Sequence, residues 1–512
     1  MSSLNRCVIT AAIIFFWICV FISGQPAPFD DDIFYAGAAI NFAKHGVMYN
    51  PQLRLTFPFL THFYVYPPIE QFALGYWLKL WGVSTKSVLS FFMVCNMVTS
   101  LAALRLVAYF KLHPINILIS VLLVANTVLF LGLRVEAFGL ACISTGIVFV
   151  LTKFDRYYCV FIGSFLAVIG SISAPSFSVP GILWFLTVCY FSFRREANST
   201  SILTWFFLGS IAAALVFLGS INFELSEFLR AFLFHARLSF HPPTLGLVVI
   251  LLGIAIAACA SSDRLRLTAI ALGITTLSFL IHSGPTGWEP LFLVCVTAII
   301  ALETLLSEKP RWAMVLRSVF LVTLVIIAMP WLGYALHYLL DPPSQAKLES
   351  LAKSKALVST YESLGKSIAI DPFVARKYFD FRIPDRAVDW YSSLLVPDID
   401  TRYKLREDVS EEGINGVWLL DSFMLQDNYS AVDRLGFEDI RQAALNSRKE
   451  VSTVFEWWRA RVFEKYPLWF TKTFFFGQRF IRFYPLGGWE DPILIDIESK
   501  KLYRGQQLIF KR

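Results

Sequence analysis

CVITAAIIFFWICVFIS, residues 7–23, is an unbroken apolar run that follows Arg6. A helix needs about 20 apolar residues to cross the hydrocarbon core of a bilayer, and a helix that is apolar on every side has to be buried in protein or lipid. The run therefore predicts a transmembrane helix. Because the basic region before it is weak and the apolar run is long, we interpret it as an uncleaved anchor rather than a cleaved signal peptide.

Similar apolar runs recur along the chain and, with the first one, number about eleven. The later runs lie near residues 88–109, 115–133, 138–151, 157–172, 177–193, 202–221, 245–260, 267–282, 288–306 and 312–336. Of all residues 56% are hydrophobic and 16% are charged, whereas soluble domains average about 45–50% and about 25%. The sequence predicts a polytopic α-helical membrane protein.

The positions of Lys and Arg predict its topology. If Arg6 is cytoplasmic, every loop that falls inside carries Lys or Arg, as the positive-inside rule requires. These loops contain Lys111; Lys153 and Arg156; Arg194 and Arg195; Arg264 and Arg266; Lys309 and Arg311. The first loop, residues 25–86, and the C-terminus are then extracytoplasmic. The net charge of +7 is modest, and the basic residues recur in small groups between the apolar runs and do not form one cluster, so a lipid bilayer is the predicted partner and nucleic acid is not.

The composition changes at Asp341, where charges become frequent and apolar runs become too short to span a membrane. We predict a transmembrane domain over residues 1–340 and an extracytoplasmic α/β domain over residues 341–512. In the second domain, residues 416–420 and 493–497 have the pattern of short strands, and residues 431–445 that of a helix.

The first exterior loop contains an acidic cluster in PFDDDIFYAGAAINFAKHGVMYN, residues 28–50. Asp31, Tyr35 and Ala39 recur at helical spacing, which predicts a short helix on the membrane surface that begins at the aspartates. Pro67 and Pro68 predict the start of a second short helix. Capping alone can account for carboxylates at a helix N-terminus, with no further function. Alternatively, a carboxylate here can serve as a general base toward a hydroxyl group.

Two further exterior segments carry charges suited to an anionic ligand. Arg134 and Glu136 lie at the mouth between two predicted spans, where Glu136 can also merely start a helix and Arg134 anchor in lipid head groups. In the segment 224–241, Glu227, Arg230, Arg237 and His241 fall on one side of a helix. Such a stripe can hold a lipid phosphate, or simply touch anionic lipid. Lys44 and His45 are expected to stabilise the end of the first short helix.

The pattern Asp31-Asp32-x-x-Tyr35, followed by a helix, Gly46, Tyr66-Pro67-Pro68 and an aromatic helix ending at Trp81-Gly82, resembles the lipid-linked-sugar glycosyltransferases of the GT-C class. It is most similar to the branch of protein O-mannosyltransferases and lipid A aminoarabinose transferases. Those enzymes typically carry Asp-Glu-x-x-Tyr and a Pro-Pro-Leu helix here. This chain has Asp32 for the Glu and Ile69 for the Leu, and Tyr66 stands where the aminoarabinose transferases have Lys.

The resemblance implies a sugar donor linked to polyprenyl phosphate and an extracytoplasmic acceptor, with no metal or other cofactor. It implies that Asp31 is the catalytic base and that Asp32 shapes its pKa or binds the acceptor. Three arginines, Arg134, Arg230 and Arg237, are the predicted ligands of the donor phosphate. The predicted substrate-binding residues are Tyr35, Tyr66, Glu70 and Glu136.

Two alternatives to sugar transfer stay open at this point. A transporter or flippase of lipid-linked sugars is expected to have ionisable groups within its spans and broken helices. A non-catalytic scaffold of the cell envelope can keep the same motif without turnover.

Overall fold

The computed structural model describes residues 3–24, 32–53, 61–109, 113–131, 133–152, 156–173 and 199–239, isolated positions between 311 and 364, the segment 379–383 and six strands between residues 368 and 511. The described helices are α1 (Ser3–Ile22), α2 (Asp32–His45), α3 (Ile69–Trp81), α4 (Thr85–Tyr109), α5 (Ile115–Leu131), α6 (Glu136–Thr152), α7 (Tyr157–Ser173), α8 (Ser199–Ser220) and α9 (Leu225–Ser239), with a 3-10 turn at Pro51–Leu53.

Three described helices are long and apolar enough to cross a membrane, namely Asn5–Ile22, Thr85–Tyr109 and Thr200–Ser220. Two shorter apolar helices are Glu136–Val150 and Tyr157–Ser173. Large apolar side chains such as Phe15 and Phe207 are exposed along α1 and α8. Apolar surface of this extent is stable in contact with lipid. The chain is therefore a helical membrane protein.

The helices α1 and α4 to α8 coincide with six of the predicted apolar runs to within a few residues. The runs near residues 177–193, 245–260, 267–282 and 288–306 lie outside the described residues. In the run near residues 312–336, the described positions from 314 to 325 are helical. The total of about eleven spans stays a prediction.

Contacts between residues divide the chain into two compact units. The first unit comprises Met1–Ile22, Phe63–Leu74 and Leu89–Ala328, and the second comprises Ser23–His62, Gly75–Val88 and Met329–Arg512. In the first unit the Trp17 indole N–H donates a buried hydrogen bond to Oγ of Ser100, at 2.9 Å. This bond fixes α1 against α4; that α1 is an uncleaved anchor stays a prediction.

Glycines bring α6 and α7 into close contact in the first unit. A Cβ atom on Gly146 would lie 2.5 Å from the carbonyl oxygen of Gly163, and one on Gly163 would lie 2.7 Å from Cγ2 of Val150. Membrane helices associate through packing and through close approach of their backbones, which small residues permit. The α6–α7 contact is therefore of the kind that a bilayer favours.

The second unit contains a six-stranded mixed sheet. Its strands are β1 (Ile368–Ile370), β2 (Ala387–Asp389), β3 (Val417–Leu420), β4 (Ile493–Asp496), β5 (Lys501–Arg504) and β6 (Gln507–Lys511), in the order β2-β1-β3-β4-β5-β6. The pairs β1–β2 and β1–β3 are parallel, and the pairs from β3 to β6 are antiparallel. The strands predicted over residues 416–420 and 493–497 are thus confirmed, as β3 and β4. The helix predicted over residues 431–445 lies outside the described residues, and the domain division at residue 340 stays a prediction.

The segment 379–383 joins the C-terminal region to the first loop within the second unit. The Thr85 N–H, at the start of α4, donates to Oδ1 of Asp380 at 2.7 Å. Nζ of Lys44 donates to the carbonyl oxygen of Ile383 at 3.3 Å. A carboxylate that accepts from the first N–H of a helix acts as a cap, so Asp380 stabilises the start of α4 from a distant part of the chain.

Candidate functional site

The start of α2 is buried in the second unit. Asp32 is its first residue and is fully buried. Nδ2 of Asn50 donates a buried hydrogen bond to the carbonyl oxygen of Ile33 at 3.0 Å. Gly37 leaves the space for this amide, since a Cβ there would lie 2.5 Å from Nδ2 of Asn50. Asp31 immediately precedes α2 but lies outside the described residues, so its predicted role stays a prediction.

The helix predicted at the aspartates is confirmed, but its burial differs from that of a surface helix. Nine of the 14 residues of α2 are buried, Tyr35 among them. A helix that lies on a membrane leaves one polar side exposed. Small residues such as Ala36, Gly37 and Ala38 cover most sides of α2, and they let the surrounding chain approach its backbone closely.

The end of α2 is capped by Gly46 and carries the two predicted cations. Gly46 adopts a φ of 78°, and its N–H donates to the carbonyl oxygen of Phe42 at 2.9 Å. A left-handed glycine after the last turn is a common helix terminator. Lys44 and His45 occupy the last turn of α2, where cations interact favourably with the helix dipole.

The second short helix, α3, also begins where the sequence predicts. Tyr66 is buried, and Pro67 and Pro68 precede the first helical residue, Ile69. The Phe72 N–H donates to the carbonyl oxygen of Pro68 at 2.9 Å. Ile69 belongs to an apolar cluster in the first unit, whose members from α6, α7 and α8 are Phe138, Cys142, Phe165, Val168, Ile169, Ile172, Ala213 and Phe217.

Glu70 is a fully buried carboxyl group in this part of the first unit. Among the residues that the structure describes, neither Oε1 nor Oε2 of Glu70 has a hydrogen-bond partner. Burial, together with the negative charge of Glu136, raises the pKa of Glu70 from 4.5 to about 8. Removing a carboxylate from water disfavours its charged form, so Glu70 is protonated at neutral pH.

Arg134 and Glu136, which the sequence predicts as site residues, form an ion pair at the start of α6. Nε of Arg134 lies 3.4 Å from Oε2 of Glu136, and both side chains are largely removed from solvent. Glu136 is also the first residue of α6. The helix-start role and the site role are therefore both compatible with its position.

The segment predicted to carry a basic stripe forms α9, Leu225–Ser239. Phe228 is buried and its ring packs 5.2 Å from that of Phe217, whereas Arg230 is exposed. Arg237 lies in the helix, but its side chain is outside the described residues, as is His241. The predicted helix is confirmed, and the phosphate-binding role of its arginines stays a prediction.

A buried tyrosine beside this segment is a feature that sequence reasoning missed. Nδ2 of Asn222 donates to the hydroxyl oxygen of Tyr64 at 3.4 Å. Burial, with the negative charges of Glu224 and Glu227, raises the pKa of Tyr64 to about 12, although the bond from Asn222 lowers it. Tyr64 therefore stays a neutral phenol at physiological pH. Nothing in its local pattern distinguishes it from Tyr66, two residues on.

The structure thus brings the side chains of Glu70, Glu136 and Arg134 into one cluster in the first unit. The second unit places Asp32 and Tyr35 on a buried helix. Chemically, the first group offers a neutral carboxyl group beside an ion pair. Asp32 and Tyr35 offer a carboxyl and a phenol directly after the Asp31 position.

The fold and these residues define a helical membrane protein with buried carboxyl groups in and after its first loop. No protein-family model, curated protein or solved structure matches the chain. Its function therefore has to be argued from its own residues.

Proposed function

We propose that the chain is a GT-C-type membrane glycosyltransferase that transfers a sugar from a polyprenyl-phosphate donor to an extracytoplasmic acceptor. The observation that carries the proposal is the complete burial of Asp32 at the start of α2. A cap carboxylate normally stays in contact with water, and burying one is costly unless the protein compensates. Buried carboxyl groups are concentrated at functional sites, which favours a chemical role for the aspartate cluster.

In the proposed reaction, a carboxylate oxygen of Asp31 takes the proton from an acceptor hydroxyl group. The acceptor oxygen then forms a bond to the anomeric carbon while the bond from that carbon to the phosphate oxygen breaks. The polyprenyl phosphate leaves with the electron pair, and a single displacement of this kind inverts the anomeric configuration. Asp32 follows Asp31 directly, and Tyr35 lies one helical turn beyond it. Both side chains are therefore suited to position the acceptor.

The leaving phosphate needs positive charge in a site shielded from water. Arg134 is the described candidate with the best-defined position, because Glu136 holds its guanidinium at 3.4 Å. Arg230, exposed on α9, is suited to meet a lipid phosphate at the membrane surface, and Arg237 is proposed to share this role. About eleven spans, with the first loop and a C-terminal α/β domain outside, complete the proposed architecture.

The test measures transfer of radiolabelled sugar from polyprenyl-phosphate mannose, glucose and arabinose into envelope fractions that contain the full-length chain. We expect Asp31→Asn to lower the rate with the accepted donor by about 100-fold or more, the usual contribution of a general base. Asp30→Asn is the matched control. It removes the same charge one residue away and is expected to change the rate only a few-fold.

Equal activity of wild type and Asp31→Asn, with both proteins folded in the membrane, would exclude the role proposed for Asp31. Absence of transfer from all three donors by the wild type would leave the scaffold alternative as the better description. Equal losses in Asp30→Asn and Asp31→Asn would point to a shared electrostatic or capping role of the cluster.

A transporter or flippase of lipid-linked sugars is the second candidate, and buried Glu70 is the observation that favours it. Ionisable groups buried within a helical membrane bundle commonly mark ion or substrate paths. Proteoliposomes that contain the purified chain and a fluorescent polyprenyl-phosphate sugar discriminate the two functions. A flippase exchanges the lipid between leaflets in the absence of an acceptor, whereas a transferase does not.

A further inference from the structure

We propose that Glu70 is a proton-binding latch, whose neutral carboxyl group keeps the first turn of α3 packed in the helix bundle and whose ionisation releases it. The inference is independent of the proposed sugar transfer. It rests on three features of the first unit: the complete burial of Glu70, the lack of described partners for both of its oxygens, and the neighbouring carboxylate of Glu136.

A proton is the ligand that fits Glu70 best. Both oxygens are shielded from solvent, so a ligand of several atoms could enter only after the surrounding helices moved apart. In addition, Glu136 is already paired with Arg134, whose Nε lies 3.4 Å from its carboxylate. The guanidinium charge is therefore largely compensated, and an ionised Glu70 would leave one uncompensated negative charge in the bundle.

The titratable and charged groups around Glu70 come from two described helices and the turn between α5 and α6. Helix α4 contributes Cys95, which interacts electrostatically with Glu70 and Cys142. Helix α6 contributes Glu136 and Cys142, and Arg134 precedes this helix. The described side chains of α7 and α8 that pack on the neighbouring Ile69 are apolar. Glu70 is thus the group in this cluster that has to take up a proton.

The position of Glu70 connects its proton to the packing of α3. Ile69, the adjacent residue, packs against Ile169 of α7 and Ala213 of α8. Moving the first turn of α3 toward water would solvate an ionised Glu70, but it would also withdraw Ile69 from this cluster. In the protonated state the cost of burying Glu70 is much smaller than for the carboxylate, and the burial of Ile69 favours the packed position. Ionisation therefore sets the solvation of Glu70 against the burial of Ile69.

The first experiment labels the full-length protein in liposomes with dicyclohexylcarbodiimide, which reacts with protonated carboxyl groups in apolar surroundings. The acid proton and carboxyl oxygen add across the carbodiimide, and rearrangement leaves a stable N-acylurea that peptide mass spectrometry locates. We expect labelling of Glu70 to fall about tenfold between pH 7 and pH 9. Exposed Glu224 is the internal control and is expected to stay unlabelled at both pH values.

Glu136→Gln tests the coupling within the cluster. Removing the neighbouring negative charge is expected to lower the pH at which labelling of Glu70 is half-maximal. An unlabelled Glu70 in folded wild-type protein at pH 6–7 would overturn the proposal. So would labelling that stays constant up to pH 10.

The second experiment measures the latch itself through the reaction of Cys95 with a membrane-permeant maleimide, quantified by peptide mass spectrometry. Wild type and Glu70→Gln are compared at each pH, because the general rise of thiol reactivity at alkaline pH affects both proteins. We expect equal labelling at pH 6.5 and several-fold more in wild type at pH 9.5, because the amide cannot ionise. A ratio near one at every pH would show that ionisation of Glu70 does not open the bundle and would overturn the latch.

Discussion

Glu70 loses its contact with water when the protein folds, and its burial makes the free energy of unfolding depend on pH. The folded state binds the proton of Glu70 with a pKa of about 8, whereas the unfolded chain binds it with a pKa of 4.5. Between these values the folded state holds more protons than the unfolded state, so the free energy of unfolding falls as the pH rises. The fall begins near pH 4.5, levels off above about pH 8, and amounts to on the order of 5 kcal/mol.

Glu70→Gln is expected to abolish most of this decline, because the amide has nearly the same shape and does not ionise. Thermal unfolding in detergent at pH 5, 7 and 9 measures it. The melting temperature of wild type should drop across the series, and that of Glu70→Gln should stay closer to constant. Glu349→Gln, at an exposed position, is the control and should follow wild type. A Glu70→Gln protein that loses stability as steeply as wild type would contradict the raised pKa.

At the scale of single residues, the sequence predicts where the short helices begin but not which groups surround each side chain. Glu70 is a predicted substrate-binding residue of the resemblance, yet its burial depends on tertiary contacts, since Cys95 of α4 and Glu136 of α6 lie near it. Asn50 escaped detection because its bond to the Ile33 carbonyl is a tertiary contact. Gly37 carried a usable signal, since a glycine inside a helical pattern often marks a close approach of another group.

Among the helices, hydropathy predicts where a span lies, whereas the packing of one span on another depends on small residues. A Cβ on Gly209 of α8 would overlap the carbonyl oxygen of Phe161 and Oγ of Ser164, both on α7. At Gly219, on the same helix, no described atom lies within 4 Å of the equivalent position. The apolar runs predict both helices. They do not predict that Gly209 is tightly packed and Gly219 is not, because composition does not show which side of a helix contacts a neighbour.

Gly209→Ala is expected to destabilise the α7–α8 contact by about 1–3 kcal/mol, the usual cost of overpacking a tight interior. Gly219→Ala, its matched control, should be neutral or stabilise α8 by up to about 1 kcal/mol, since alanine is the better helix former. Unfolding in mixed micelles of mild detergent and dodecyl sulfate compares the two variants with wild type. Equal stability of both variants would show that α7 and α8 do not pack through Gly209.

For the molecule as a whole, hydrogen bonds between the first loop and the C-terminal region restrict the topology. Asp380 accepts from the Thr85 N–H at 2.7 Å, and Nε of Arg382 donates to the carbonyl oxygen of Val83 at 3.4 Å. In the same unit, strand β2 contacts the turn at Pro51–Leu53. Groups that bond directly must lie on one side of a bilayer. We therefore expect the chain between them to cross the membrane an even number of times.

The apolar runs between the first loop and Asp341 number about ten, which meets this condition. The number of apolar runs does not by itself exclude an error of one span, because short runs are ambiguous. The positive-inside pattern and the contact of Thr85 with Asp380 are independent constraints. Both lead to the same prediction, an even number of crossings between the first loop and the C-terminal region.

Alkaline phosphatase, active only outside the cytoplasm, and green fluorescent protein, fluorescent only inside it, read the topology when fused after Arg512 of the full chain. We expect an active phosphatase and a dark fluorescent fusion, because Arg512 follows the last strand of the sheet whose strand β2 contacts the first loop. Fusions after Lys153 of a truncated chain are the control and should show the reverse pattern, since this loop is predicted to be cytoplasmic. A fluorescent fusion after Arg512, with the first loop still exterior, would require the Thr85–Asp380 bond to cross a bilayer. This result would overturn the even number of crossings. It would also overturn the assignment of the C-terminal sheet to the outside.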